Sequence, residues 1–125
     1  MILDTNAVSA FLEGDARIRA VLTPAFKVSL PVIVLGEYRS GLLGSRKRQV
    51  IEPALDELQA VSDVLPIDAE TVGPYAKICD QLKRAGKPIP TNDIWIAALA
   101  LQHGLPIVSR DRHFDVVPGI RRIAW

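Results

Sequence analysis

Four acidic residues follow or open the apolar segments of this chain. Asp4 follows the apolar run 1–3. Glu37 lies one helical turn or more into a helix that opens at Pro31. Asp93 sits in the first turn of an apolar helix over 94–103, and Asp111 follows the strand expected over 106–109, in Ser109-Arg110-Asp111. Each has a plain structural role. Asp4 can cap a helix, Asp93 suits the positive end of one, Asp111 suits a turn, and Glu37 suits a solvated helix face. Gathered in one crevice, they repel and raise one another's pKa. A divalent cation neutralises such a cluster. Oxygen-only ligands suit hard ions, Mg²⁺ or Mn²⁺. The chemistry of that arrangement is phosphoryl transfer, in which metal ions acidify the attacking water, polarise the phosphate and stabilise the leaving oxygen.

Positioning these acids falls to an alternation of strands and helices. Residues 1–3 read as a buried strand, with Asp4 or Thr5 as the first cap. Helices follow over 6–12, broken by Gly14, and over 15–22, stopped by Pro24. A strand over 26–30 leads to the Pro31 helix, which runs to Leu42 and ends at Gly44. A helix over 45–60 places Val50, Ile51, Leu55 and Leu58 on one stripe, with a kink or break at Pro53. A strand over 64–67 precedes a helix capped by Asp68, divided near Pro74 and stopped by Gly86. Thr91 or Asn92 caps the 94–103 helix, which ends at Gly104. Strands over 106–109 and, at the sheet edge, 120–125 complete the pattern. The expectation is a single α/β domain over 1–125. It has three layers, α/β/α, around a mostly parallel sheet of about five strands. Functional groups in such sheets collect beyond the carboxyl ends of the strands.

Composition narrows the classes. The chain has 125 residues, 49% hydrophobic and 23% charged, which argues against disorder. Lys+Arg is 15 and Asp+Glu is 14, so any nucleic-acid surface is a local patch. The one cysteine, Cys79, excludes an intrachain disulfide and a Cys-rich zinc site, and reads as a small buried hydrophobe. No apolar run approaches the ~20 residues of a membrane helix, and no basic leader is visible. A cytoplasmic protein with no membrane contact is expected.

The local motifs add a resemblance. The opening Met1-Ile2-Leu3-Asp4-Thr5-Asn6, the helix element Leu35-Gly36-Glu37, and Thr91-Asn92-Asp93-Ile94-Trp95-Ile96-Ala97-Ala98 resemble the PIN-domain nucleases. So do Gly104-Leu105-Pro106-Ile107-Val108-Ser109-Arg110-Asp111, His113-Phe114 and Pro118-Gly119-Ile120. The order holds from residue 1 to about residue 120, and the compact length is similar to the VapC-type toxins of toxin–antitoxin pairs. The resemblance implies a PIN-like fold and an endoribonuclease dependent on Mg²⁺ or Mn²⁺. It implies a toxin that inhibits translation by cutting RNA, is restrained by a cognate antitoxin, and forms a homodimer. The metal-binding and catalytic acids fall on Asp4, Glu37, Asp93 and Asp111, with Asp4 and Asp93 as principal ligands. Thr5 and Ser109 would hold the acids or the attacking water. Asn92 would orient Asp93, contact substrate, or cap its helix. The toxins often carry Asn where this chain has Asp111, which leaves its individual role open, with Asp115 a nearby competitor.

Arg110 and Arg112 flank Asp111 and are candidates for binding substrate phosphates. The run Arg46-Lys47-Arg48 reads as a solvated helix face, and Lys83, Arg84 and Lys87 suit a helix end. Arg121 and Arg122 lie on the expected edge strand. His103 suits a helix C-terminus and His113 is expected near the site, but the metal route needs no imidazole base from either. Trp95 and Tyr38 read as core or interface. A haloacid-dehalogenase phosphatase would need an aspartate where Asn6 stands. A receiver domain's acidic pair and a dinucleotide fold's G-x-G-x-x-G are absent. The alternatives kept are a housekeeping RNA-processing nuclease of the same family and a metal-free scaffold for protein binding.

Overall fold

The computed structural model describes residues 1–24 and 27–125. The apolar pair Ile2–Leu3 forms β1 in the middle of a five-stranded sheet of order β3-β2-β1-β4-β5. Its neighbours are β2 (Ser29–Pro31) and β4 (Ile107–Val108). The edges are β3 (Asp63–Leu65) and β5 (Arg122–Ile123). Every pairing is parallel. The residues of β1, β2 and β4 are all buried, as strands covered on both faces must be.

Among the described residues six α-helices connect these strands: α1 (Thr5–Leu12), α2 (Ala16–Leu22), α3 (Val32–Leu43), α4 (Arg48–Ala60), α5 (Val72–Ala85) and α6 (Thr91–His103). Right-handed crossovers put α1 to α4 on one face, because β1, β2 and β3 step in one direction. The return to β4 puts α5 and α6 on the other. Accordingly α1 packs on α2, α3 and α4, while α5 packs on α6. The expected three-layer α/β/α architecture is present. No helix among the described residues is long and apolar enough to cross a membrane.

Several boundaries differ from the expected ones, for local reasons. The strand expected over 26–30 is β2, beginning at Ser29; residues 25 and 26 lie outside the described residues. Strand β3 starts one residue early, because its ladder pairs Ser29 with Asp63. Helix α4 runs unbroken through Pro53. That proline is exposed, so the carbonyl it leaves unpaired meets water, while Ile51, Leu55 and Leu58 bury the opposite stripe. Val50 is off that stripe, 77% exposed. The Asp68 helix divides as expected: a capping box closes the 3-10 turn Ala69–Thr71, and α5 follows. Neither Thr91 nor Asn92 caps α6. Pro90 holds that position with an extended ψ of 145°, so both polar residues lie inside the first turn. Gly104 ends α6 at φ 64°, a left-handed turn that sends the chain into β4.

After β4, the 3-10 turn Arg112–Val116 is capped by Asp111 and anchored by Phe114, which is fully buried. Phe114→Ala should therefore cost about 3–5 kcal/mol, read by urea unfolding. A loss under about 1 kcal/mol would show that this turn is not held by its aromatic anchor.

Candidate active site

The sheet order reverses between β1 and β4, and at such a point the loops beyond the strand ends part to leave a crevice. Asp4 ends β1, with its own N–H still in the ladder, donating to the Val108 carbonyl at 3.1 Å. It then caps α1, as expected, its Oδ1 accepting the Thr5 N–H at 2.8 Å. Ser109 ends β4. Its hydroxyl donates to Asp4 Oδ2 at 2.7 Å and accepts the Asp111 N–H at 2.9 Å. Asn6 Nδ2 lies 3.1 Å from Asp4 Oδ2 and 3.2 Å from Ser109 Oγ. Asn6 Oδ1 accepts the Arg110 N–H at 3.1 Å. Asp4 is only 5% exposed and Ser109 is fully buried, so this network fixes one carboxylate at the crevice floor.

The other acids reach the same cavity, of about 520 Å³. It is lined by Asp4, Thr5, Asn6, Glu37, Asp93 and Asp111, together with Ser9, Tyr38, Gly41, Leu42 and Ser45. Contact between α3 and α6 brings Glu37 and Asp93 toward one another from opposite layers. All four acids singled out in the sequence therefore line one cavity. Asp115 does not line it; it is held by Arg122 at 2.7 Å.

Burial is the main reason that Asp4, Glu37 and Asp93 all hold their protons above the ordinary carboxylate range. Their neighbours add to it: Asp93 and Asp111 act on Asp4, Asp4 and Asp93 on Glu37, and Asp111 on Asp93. The Ser109 hydroxyl and Thr5 N–H oppose the shift at Asp4, and the Asn92 amide opposes it at Glu37. The exposed Asn92 thus serves Glu37 rather than the helix end. A crevice that disfavours its own negative charge fits a cation. The donors fit as well: carboxylate oxygens, and a buried Thr5 hydroxyl with no hydrogen-bond partner among the described residues.

Two participants escaped sequence reasoning. Asn6 bridges Asp4, Ser109 and Arg110, and its only signal was its place beside Asp4. His113 was expected near the site but given no part in it, and its Nδ1 lies 2.8 Å from Asp93 Oδ2 and 3.1 Å from Asp111 Oδ1. The arginines fare differently. Arg110 pairs with Asp15 at 3.3 Å and stacks its guanidinium 4.5 Å over the Trp125 ring, outside the acidic cavity. Arg112 is exposed on the 3-10 turn. Tyr38, expected in the core or an interface, lines the cavity, while Trp95 stacks on Tyr75 at 3.7 Å.

Carboxylates gathered at the switch point of a parallel α/β sheet make a donor set suited to a hard divalent cation. The chain belongs to the PIN-domain family, whose model, described as "PIN domain", matches residues 1–120. It is 30% identical over 120 residues to Ribonuclease VapC5 of Mycobacterium tuberculosis, spanning 94% of this chain and 87% of that protein. It is 33% identical over 121 residues to Toxin FitB of Neisseria gonorrhoeae, spanning 89% and 87%. Among solved structures, DNA-bound VapBC from Salmonella typhimurium superposes with a TM-score of 0.88 at 26% identity, covering 99% of this chain and 96% of that one.

The charge pattern sets the pH dependence of the metal-free fold. Asp4, Glu37 and Asp93 bind protons more tightly folded than unfolded, so stability falls as pH rises through their raised pKa values. Hydrogen bonding to Asp93 raises the His113 pKa above 6.5, so its contribution is also lost as pH rises. Asp15, held near 2 by Arg17, destabilises only on acidification. Metal-free protein should thus melt at a lower temperature at about pH 8 than at about pH 5.5. A flat or rising melting temperature over that interval, measured by differential scanning calorimetry, would contradict the charge assignment.

Proposed function

We propose that this chain is a divalent-metal-dependent endoribonuclease and the toxin of a toxin–antitoxin pair. The observation that carries the reading is the convergence of Asp4, Glu37, Asp93 and Asp111 on one cavity at the β1/β4 switch point. Asp4 and Asp93 would be the principal ligands of Mg²⁺ or Mn²⁺, with Glu37 and Asp111 completing the set. A divalent ion there supplies an acidified water, a polarised phosphate and charge stabilisation for the leaving oxygen.

The chain's own groups do the rest. Ser109, Asn6 and the Thr5 N–H hold the Asp4 carboxylate in one orientation. The Thr5 hydroxyl is free to accept a hydrogen bond from a nucleophilic water. Asn92 orients Glu37 at the rim. RNA phosphates are expected along the exposed basic residues beside the cavity. Arg46 directly follows Ser45 of its lining, and Arg112 directly follows Asp111. Arg110 would need to leave Asp15 to take part.

The toxin branch is favoured by relatives named as VapC ribonucleases and as a FitB toxin, over most of their length. Solved neighbours are VapBC and FitAB assemblies, which supports an antitoxin partner, a heteromeric complex and restraint of the crevice. Cutting RNA to inhibit translation, acting in the cytoplasm as a single domain over 1–125, belongs to the same reading. Exposed apolar side chains such as Leu43, 65% exposed, and Val72, 55% exposed, offer surface for a homodimer. Four acids lining the cavity argue against a metal-free scaffold.

Asp4→Asn should lower RNA cleavage by more than about 100-fold while circular dichroism stays unchanged. EDTA should stop the wild-type protein, and Mg²⁺ or Mn²⁺ should restore it. Wild-type rates in Asp4→Asn remove the role of Asp4; indifference to EDTA removes the metal.

A further inference from the structure

His113 has no part in the four-acid set, but its position is a built one. Its backbone N–H donates to Asp111 Oδ1 at 2.9 Å. The next residue, Phe114, is fully buried, and Arg122 clamps Asp115 at 2.7 and 3.0 Å. The turn therefore holds the imidazole over Asp93 and Asp111, although the side chain itself is 48% exposed. One donor atom from each of Asp93, Asp111 and His113 lies within 4.8 Å of the other two. Nδ1 is 2.8 Å from the Asp93 oxygen and 3.1 Å from the Asp111 oxygen. Adjacent donors around an octahedral ion with bonds of about 2.1 Å stand about 3 Å apart. Both gaps match an edge of such an octahedron.

We propose that His113 Nδ1 is itself a ligand of the divalent ion, sharing it with Asp93 and Asp111. The inference rests on the metal-dependent reading above and deepens it. The resulting site is asymmetric. Asp4 and Glu37 offer only oxygen on one side of the cavity, and the 3-10 turn adds one nitrogen on the other. An imidazole nitrogen suits borderline first-row ions better than Mg²⁺. The ion favoured by this chain is therefore Mn²⁺ over Mg²⁺. With Nδ1 on the ion, the remaining ring proton sits on Nε2.

The chain has two histidines, and this makes the test direct. His103 is exposed at the far end of α6 from Asp93. Mn²⁺ added to the purified full chain is examined by pulsed electron paramagnetic resonance. Calorimetry of Mn²⁺ and Mg²⁺ binding accompanies it. Wild type and His103→Gln should show modulation from a directly bound nitrogen, and His113→Gln should lose it. His113→Gln should also weaken Mn²⁺ binding by at least about 10-fold, and Mg²⁺ binding by less. Mn²⁺ bound to wild type with an oxygen-only signature overturns the proposal and leaves the metal site standing. Nitrogen modulation that survives in His113→Gln overturns it too. Failure of wild type to bind either ion overturns both this proposal and the metal-dependent reading.

Discussion

A carboxylate that is 5% exposed has to be satisfied by its neighbours, and in this fold the neighbours come from two strands. Asp4 receives the Thr5 N–H on one oxygen and the Ser109 hydroxyl on the other, with the Asn6 amide beside it. Ser109 is reachable only because β1 and β4 lie side by side and in register, Leu3 against Val108. The same hydroxyl accepts the Asp111 N–H, so one buried oxygen sets the place of two acids. The remaining charges are arranged around that point. Glu37 arrives from α3 and Asp93 from α6, and Asp93 raises the cost of ionising both Asp4 and Glu37. Nothing in the packing requires this accumulation of like charge. It is a local conflict that the fold tolerates, and such conflicts are expected at functional or strained places in a fold.

Much of this was legible along the chain. Asp4 stands directly after a short apolar run and Asp111 a few residues after another, and strand ends in an α/β alternation point to one edge of the sheet. Asp93 sits in the first turn of a helix whose apolar run is buried at residues 94 and 96–100, with Trp95 half-buried between them. Gly86 and Gly104 ended the helices where expected, at a positive φ no other residue type adopts as readily. The prediction of five strands, with the last at an edge, agrees with the sheet order.

What was not legible depends on geometry that local pattern does not carry. His113 meets Asp93 across 20 positions, through a tight turn whose direction is set by the burial of Phe114. Asn6 works as a bridge only once β4 lies beside β1. Val50 is apolar, but one position away from the stripe of Ile51, Leu55 and Leu58, and helical rotation carries it into solvent. Thr91 and Asn92 have cap chemistry, yet the extended backbone at Pro90 starts the helix before them. The register of β3 was set by its partner strand rather than by its own residues.

The pairing of β1 with β4 also has a kinetic side. The hydrogen bond from Ser109 to Asp4 closes a loop of 105 positions, and the central strand gains its second neighbour only when β4 arrives. Long-range parallel pairing of this kind forms late, after local helices. A nascent chain that has emerged only through α5 carries Asp4 and Glu37 but has neither Asp93 nor Asp111 to set beside them. The four acids are thus brought together only once α6, β4 and the turn after it have joined the strands and helices that precede them.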